Sequence, residues 1–150
     1  MQLPQDPRFK QGIYRPKHPE KFIGKHAVYR SSFELRFMQW ADRNTNVLEW
    51  GSENIIVPYI SPVDGRAHRY YVDNFVVIKE GDRIKRYLVE IKPFKQTQPP
   101  QPSARKKRTT VLYEQTQWAI NQAKWLAAKE YAKKKSAEFI IITEKDLFQN

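Results

Sequence analysis

The sequence predicts a mixed α/β domain: one central sheet with strands running in both directions and helices packed on it. Three observations carry this. An amphipathic helix signal follows Ser31, short β-rich segments fill residues 47–92, and a long helical period precedes a last apolar strand at 138–143. The order α-β-β-β-(β)-α-β begins as an antiparallel meander and ends in a helical crossover. That is not the alternation of a doubly wound nucleotide fold, and no Gly-rich phosphate loop is present.

Residues 1–30 hold four prolines and no sustained period, so they read as an extended arm lying on or trailing from the domain, with Tyr14, Phe22 and Tyr29 to pin it. "SSFELRFMQWAD" then reads as a helix with Ser31 as N-cap and Glu34 at capping-box spacing. Strands are expected at 47–50, 54–60, 68–79 and 84–92, separated by turn signals at Gly51, Asp64-Gly65 and Gly81-Asp82; the Asp64-Gly65 turn makes 54–60 and 68–79 a hairpin. Residues 94–109 are proline-rich and almost free of apolar side chains, which predicts a mobile basic loop. Thr110 is expected to cap a second helix whose apolar stripe is Leu112, Ala119, Ile120, Ala123, Ala127 and Tyr131. Lys133, Lys134 and Lys135 suit its C-terminal dipole, and "EFIIIT" ends the fold as a buried strand. The domain proper is therefore residues 31–150.

A length of 150 residues suits one domain. With no cysteine and only His18, His26 and His68, thiolate metal sites and cysteine nucleophiles are excluded, and any metal must be held mostly by oxygen. No apolar run approaches the roughly 18 residues of a membrane span, so a soluble, intracellular protein is expected. The formal charge of +11 is uneven: residues 1–30 contribute +5 and residues 91–113 contribute +6, with no acid in the second stretch. Charge concentrated in two segments suits a phosphate backbone better than an evenly solvated surface does.

The acids are more specific. In the strand 84–92, alternation puts Ile84, Arg86, Leu88, Glu90 and Lys92 on one face and Tyr87, Val89 and Ile91 on the other. Asp73 shares a face with Tyr71, Phe75 and Val77. On the first helix, the arc of Trp40, Phe33, Phe37, Ala41 and Met38 also contains Glu34, while Asp42, Gln39, Arg43 and Arg36 lie opposite. Three acids thus point into apolar surroundings, where a carboxylate must be protonated, paired or bound to a cation. Oxygen ligands of this kind suit Mg²⁺ or Mn²⁺. The plainer readings are a capping box for Glu34, a salt bridge from Asp73 to Arg69 or Arg86, and a surface ion pair for Glu90 and Lys92.

At "YRSSFELRF", "YYVDNFVV" and "VEIKP" the sequence resembles the PD-(D/E)xK nuclease superfamily, with its restriction-endonuclease-like core. Asp73 matches the first acid, Glu90 the second, Lys92 the lysine and Glu34 the helix glutamate; Val72 stands where proline is usual. Two subgroups are nearest, the TnsA-type transposon endonucleases and the head completion nucleases of T-even-like tailed bacteriophages, whose arm resembles "YRPKHPEKFIGKHAVYRSSFE". The resemblance implies a metal-dependent DNA nuclease acting on packaged DNA before heads and tails join, in the host cytoplasm during virion assembly or with the virion. Portal, neck or other head completion proteins would be its partners, with no membrane involved. It also implies that Asp73, Glu90, the Ile91 carbonyl and Glu34 hold Mg²⁺ or Mn²⁺ while Lys92 orients water. Arg105, Lys106, Lys107, Arg108 and Lys95 would grip DNA without regard to sequence, and Tyr113 and Gln117 on a polar helix stripe with Asn121 and Lys124 would touch it near the site. Two alternatives stay open: a non-catalytic DNA-binding assembly protein whose acids are only ion-paired, and a transposon- or restriction-type endonuclease working with partner subunits.

Overall fold

The computed structural model describes residues 11–147. Residues 12–29 form three short strands, β1 (Gly12–Tyr14), β2 (Phe22–Ile23) and β3 (Ala27–Tyr29). β1 pairs antiparallel with β3, and β2 adds a parallel edge to the central sheet. After them come α1 (Ser32–Arg43), β4 (Val47–Ser52), β5 (Ile56–Ile60), β6 (Ala67–Tyr71), β7 (Asn74–Glu80), β8 (Arg83–Ile91), α2 (Arg108–Lys134), β9 (Glu138–Ile142) and the single turn α3 (Glu144–Leu147). The central sheet runs β2-β4-β7-β8-β9; β4, β7 and β8 are antiparallel neighbours, and β9 joins β8 in parallel after the α2 crossover. This is the expected mixed α/β architecture.

The sheet separates two cores. On one side Phe37, Met38 and Ala41 of α1 pack with Val47, Trp50, Val76, Val89 and Ile91. On the other, Trp125, Ala128 and Ala132 of α2 pack with Val57, Tyr70, Val72 and Leu88. The alternation read from β8 therefore holds, with Val89 and Ile91 toward α1 and Leu88 toward α2. Gly51 is required by its neighbour across the ladder: a Cβ there would come within 2.2 Å of the Phe75 ring.

The structure departs from the sequence reading at Gly51, which is paired with Phe75 inside β4 and makes no turn, and in four further places. The single strand expected at 68–79 is two strands, because β6 pairs only with β5 in a separate hairpin while β7 enters the central sheet between β4 and β8. Val72 and Asp73 make the crossing: Val72 N donates to Ile55 O at 3.0 Å and Glu53 N donates to Asp73 O at 3.0 Å. On α1, Asp42 is fully buried and Trp40 is 43% exposed, the reverse of the expected faces. Residues 12–29 cause this by packing on that end of the helix. Tyr14 Oη, Lys17 N and His18 N donate to the Asp42 carboxylate at 2.5, 2.8 and 3.0 Å. Lys21 Nζ donates to the carbonyls of Ala41, Asp42 and Asn44, each at 2.9 Å, and so satisfies helix-end acceptors.

The third departure is α2. It begins at Arg108 after Lys107, with no side-chain cap, instead of at Thr110. Its buried residues, Trp125, Ala128 and Ala132, all lie in its second half, and Leu112 is exposed because the first turns lie outside the apolar core. Fourth, the segment expected as a uniform loop opens with a 3-10 turn at Phe94–Thr97, and Arg108 already belongs to the helix. No helix among the described residues is long and apolar enough to cross a membrane.

Candidate active site

The crossing between the two sheets places the first acid. Continuing the β7–β8 register would set residue 72 against Ile91, but the chain has left the ladder there, and the Asp73 side chain takes the freed donor: Ile91 N donates to Asp73 Oδ2 at 2.8 Å. By the same register Asp73 stands opposite Glu90. Glu90, near the end of β8, is buried, with 6% of its surface exposed. Its Oε2 accepts a hydrogen bond from the Tyr70 hydroxyl, and its Oε1 faces Lys92 Nζ at 3.6 Å. Lys92 is fixed by its backbone, whose N–H donates to Ile142 O at 3.0 Å, and Pro93 then ends the strand.

Glu34 arrives from the first turn of α1. Ser31 Oγ accepts from Glu34 N at 3.2 Å, as a capping box requires, but the glutamate returns to the Ser31 hydroxyl at 3.1 Å. Burial lifts the Glu34 pKa above the usual carboxylate range, the charges of Glu53 and Glu90 add to this, and the Ser31 hydroxyl and the Arg30 backbone oppose it. Burial likewise raises Asp73 well above its ordinary value, reinforced by Glu90 and Glu34 and only partly offset by the Ile91 N–H and Lys92. The charges of Glu34, Asp73 and Glu90 are therefore felt among one another, with Lys92 loosely paired to Glu90 and Lys124 close by. Asp73 makes no ion pair with Arg69 or Arg86 among the described residues, and the ion pair of Glu90 with Lys92 is present at 3.6 Å, though its acid is buried in a central strand and not at the surface. No group of three or more carboxylate or imidazole side chains among the described residues is arranged to hold a metal ion as it stands.

The proposed DNA contacts divide. Lys95, Arg105, Lys107, Arg108 and Tyr113 are exposed, and Gln117 is half-buried. Lys106 is engaged within the protein: its Nζ lies 3.0 Å from Glu114 Oε1 and donates to Gln101 O at 2.9 Å. Lys107 and Arg108 sit at the N-terminal end of α2 with no acid in its first turn, where positive charge opposes the helix dipole. They do not stabilise that helix, and they make the end of it attractive to anions.

Sequence reasoning missed three neighbours of the site. Tyr70 was out of reach because unbroken alternation puts it on the face opposite Asp73. Glu53, tied to Arg30 at 3.0 Å, adds a charge felt by Glu34. Lys124, seen only as part of a polar stripe, lies near enough to Glu90, Lys92 and Asp73 to feel their charges.

A mixed sheet clad by helices on both faces, with an acid pair and a lysine near the end of a central strand, is consistent with the restriction-endonuclease-like class. Residues 44–144 match the family model for the TnsA-like endonuclease N-terminal domain. The chain is also 37% identical over 144 residues to the head completion nuclease of Enterobacteria phage T4, covering 91% of this chain and 92% of that one. The protein belongs to this TnsA-like nuclease family. No solved structure matches it significantly.

Proposed function

We propose that the protein is a divalent-metal-dependent deoxyribonuclease that completes tailed-phage heads, trimming packaged DNA in the host cell before head and tail join. One observation carries the chemical part: Asp73, Glu90 and Glu34 crowd negative charge into a buried corner where, among the described residues, only Glu90 has an ion-pair partner, Lys92 at 3.6 Å. An ion-paired structural cluster would have cations to match its acids.

The donor set fits a hard cation. Among the described residues Asp73 Oδ1 makes no hydrogen bond, and Glu90 Oε1 has only Lys92 at 3.6 Å. Mg²⁺ is commonly held by one or two carboxylates together with water and substrate phosphate, so a ready-made cage of three protein ligands is not needed. Asp73 and Glu90, with the Ile91 carbonyl, would hold Mg²⁺ or Mn²⁺, and Glu34 would support it through water. Such an ion supplies stabilisation of charge on the scissile phosphate and a lower pKa for the attacking water.

The chain's own groups do the rest. The Ile91 N–H and the Tyr70 hydroxyl lock one oxygen of each acid, which fixes the direction of the other. Lys92, anchored through Ile142, orients the attacking water and offsets developing negative charge. Arg105, Lys107 and Arg108 hold the backbone, so binding is largely independent of sequence and steeply dependent on salt. Portal, neck or other head completion proteins as partners are part of this proposal; the T4 relative's name supports action in head completion.

The test is cleavage of supercoiled and linear DNA without metal, with Mg²⁺ and with Mn²⁺. Wild-type protein should cut only with metal, while Glu90→Gln and Asp73→Asn bind DNA without cutting it. Metal-dependent cutting by both variants at the wild-type rate would overturn the site.

A further inference from the structure

Lys124 has an unusual position. It comes from the middle of α2 and is half-buried, with its ammonium 5.8 Å from the centre of the Tyr59 ring and 5.5 Å from that of Tyr70. Both rings belong to the β5–β6 hairpin, and the Tyr70 hydroxyl is the donor that holds Glu90. Around Lys124 stand Glu90, Lys92 and Asp73, yet it makes no hydrogen bond and no ion pair within 4 Å among the described residues. An ammonium carries three donors and is strongly hydrated, so withdrawing it from water without an acceptor is costly. The two rings recover only part of that cost. Desolvation accordingly lowers its pKa, with the charge of Lys92 working in the same direction.

Building on the active site proposed above, we infer that Lys124 is a catalytic residue whose ammonium donates to a phosphate oxygen of the DNA at the point of cleavage. No acid among the described residues comes within ion-pair distance of Lys124, which leaves its donors free for an incoming anion. Tyr59 and Tyr70 flank the ammonium with their rings. Lys124 also ends a helix stripe, with Asn121 and Gln117, that leads back toward exposed Lys107 and Arg108, so one strand of DNA following α2 would deliver its phosphate to this amine.

The experiment compares full-length Lys124→Met, Lys124→Gln and Lys124→Arg with wild type at saturating DNA in Mg²⁺ and in Mn²⁺, with Asp73→Asn alongside and thermal melting of each. The neutral variants should lose about 100-fold in kcat, the size of effect seen when one transition-state donor is removed, with Tm unchanged, and Arg should restore most of the rate. If Lys124→Met or Lys124→Gln cuts within about threefold of wild type while Asp73→Asn is dead, the inference falls and the site stands. If Asp73→Asn also cuts normally, both fall. Parallel loss of Tm and rate in both neutral variants, recovered together by Arg, would make Lys124 a packing residue and overturn the inference.

Discussion

Replacing Asp42 by alanine tests how residues 12–29 are held to the domain. The carboxylate is fully buried and accepts from Tyr14 Oη, Lys17 N and His18 N. Burial alone would raise its pKa, but these three donors together with the His18 charge hold it below the usual range. The same contact lifts the Tyr14 hydroxyl to about 12, with burial the larger cause. Alanine leaves three donors unpaired, at about 1–3 kcal/mol each when fully buried. Water reaches the two backbone donors more readily than an interior group, and the cost of burying the charge disappears. The net expected loss is about 2–4 kcal/mol, or roughly 4–16 °C in Tm for a chain of this size. Urea unfolding of wild type, Asp42→Ala and Asp42→Asn provides the assay, with Asn intermediate because it keeps one acceptor. A depressed carboxylate pKa contributes stability that is full above the unfolded value of about 3.9 and is lost as pH falls through the folded value. Wild type should therefore shed this advantage over Asp42→Ala only in acid. A loss below about 1 kcal/mol at neutral pH, or a difference that does not shrink in acid, would refute the reasoning.

Asp73→Asn should abolish cutting yet raise Tm, because it keeps the acceptor for Ile91 N and removes one of three mutually repelling buried charges; an unchanged or lower Tm would show that the charge costs the fold nothing. The sign with pH is opposite to that of Asp42: acids with raised pKa destabilise the folded state when ionised, so the Tm difference should shrink as pH falls and Asp73 takes up its proton. Neutralising Arg105, Lys107 and Arg108 together should reduce the slope of log binding constant against log salt by about 2–3, measured by fluorescence anisotropy, whereas Lys106→Gln alone should leave it nearly unchanged because Lys106 is committed to Glu114. Gly51→Ala should cost about 1–3 kcal/mol in a urea melt by displacing the Phe75 ring, two positions from Asp73.

The parts of the fold legible in the sequence are those governed by local pattern. β8 could be read face by face because it lies between two neighbours and two cores, so its alternation records both environments. The first helix could be started correctly because Ser31 caps it within one turn. Asp42 and Trp40 were misread because their surroundings come from residues 12–29, which pack there through irregular backbone and long-range hydrogen bonds. The break at Val72–Asp73 was invisible because "HRYYVDNFVV" carries strand-forming residues throughout; what changes there is the pairing partner, and no local propensity encodes it. The acids themselves were found by their discord with apolar neighbours. Tyr70 and Lys124 cause no such discord, and their link to the site appears only once the hairpin lies beneath α2.

Among the described residues the β5–β6 hairpin is tied to the five-stranded sheet only at its base, where Val72 N donates to Ile55 O and Glu53 N to Asp73 O; beyond that it rests on α2 and touches Glu90 through Tyr70. The wall above the acids is therefore an attachable plate. Its tip, from Ser61 to Arg66, can grow, shrink or change chemistry without moving the pairing of β8 by a single residue. A lineage altering what it cuts, or what it docks against while cutting, has a place to experiment that leaves the hydrolytic corner intact.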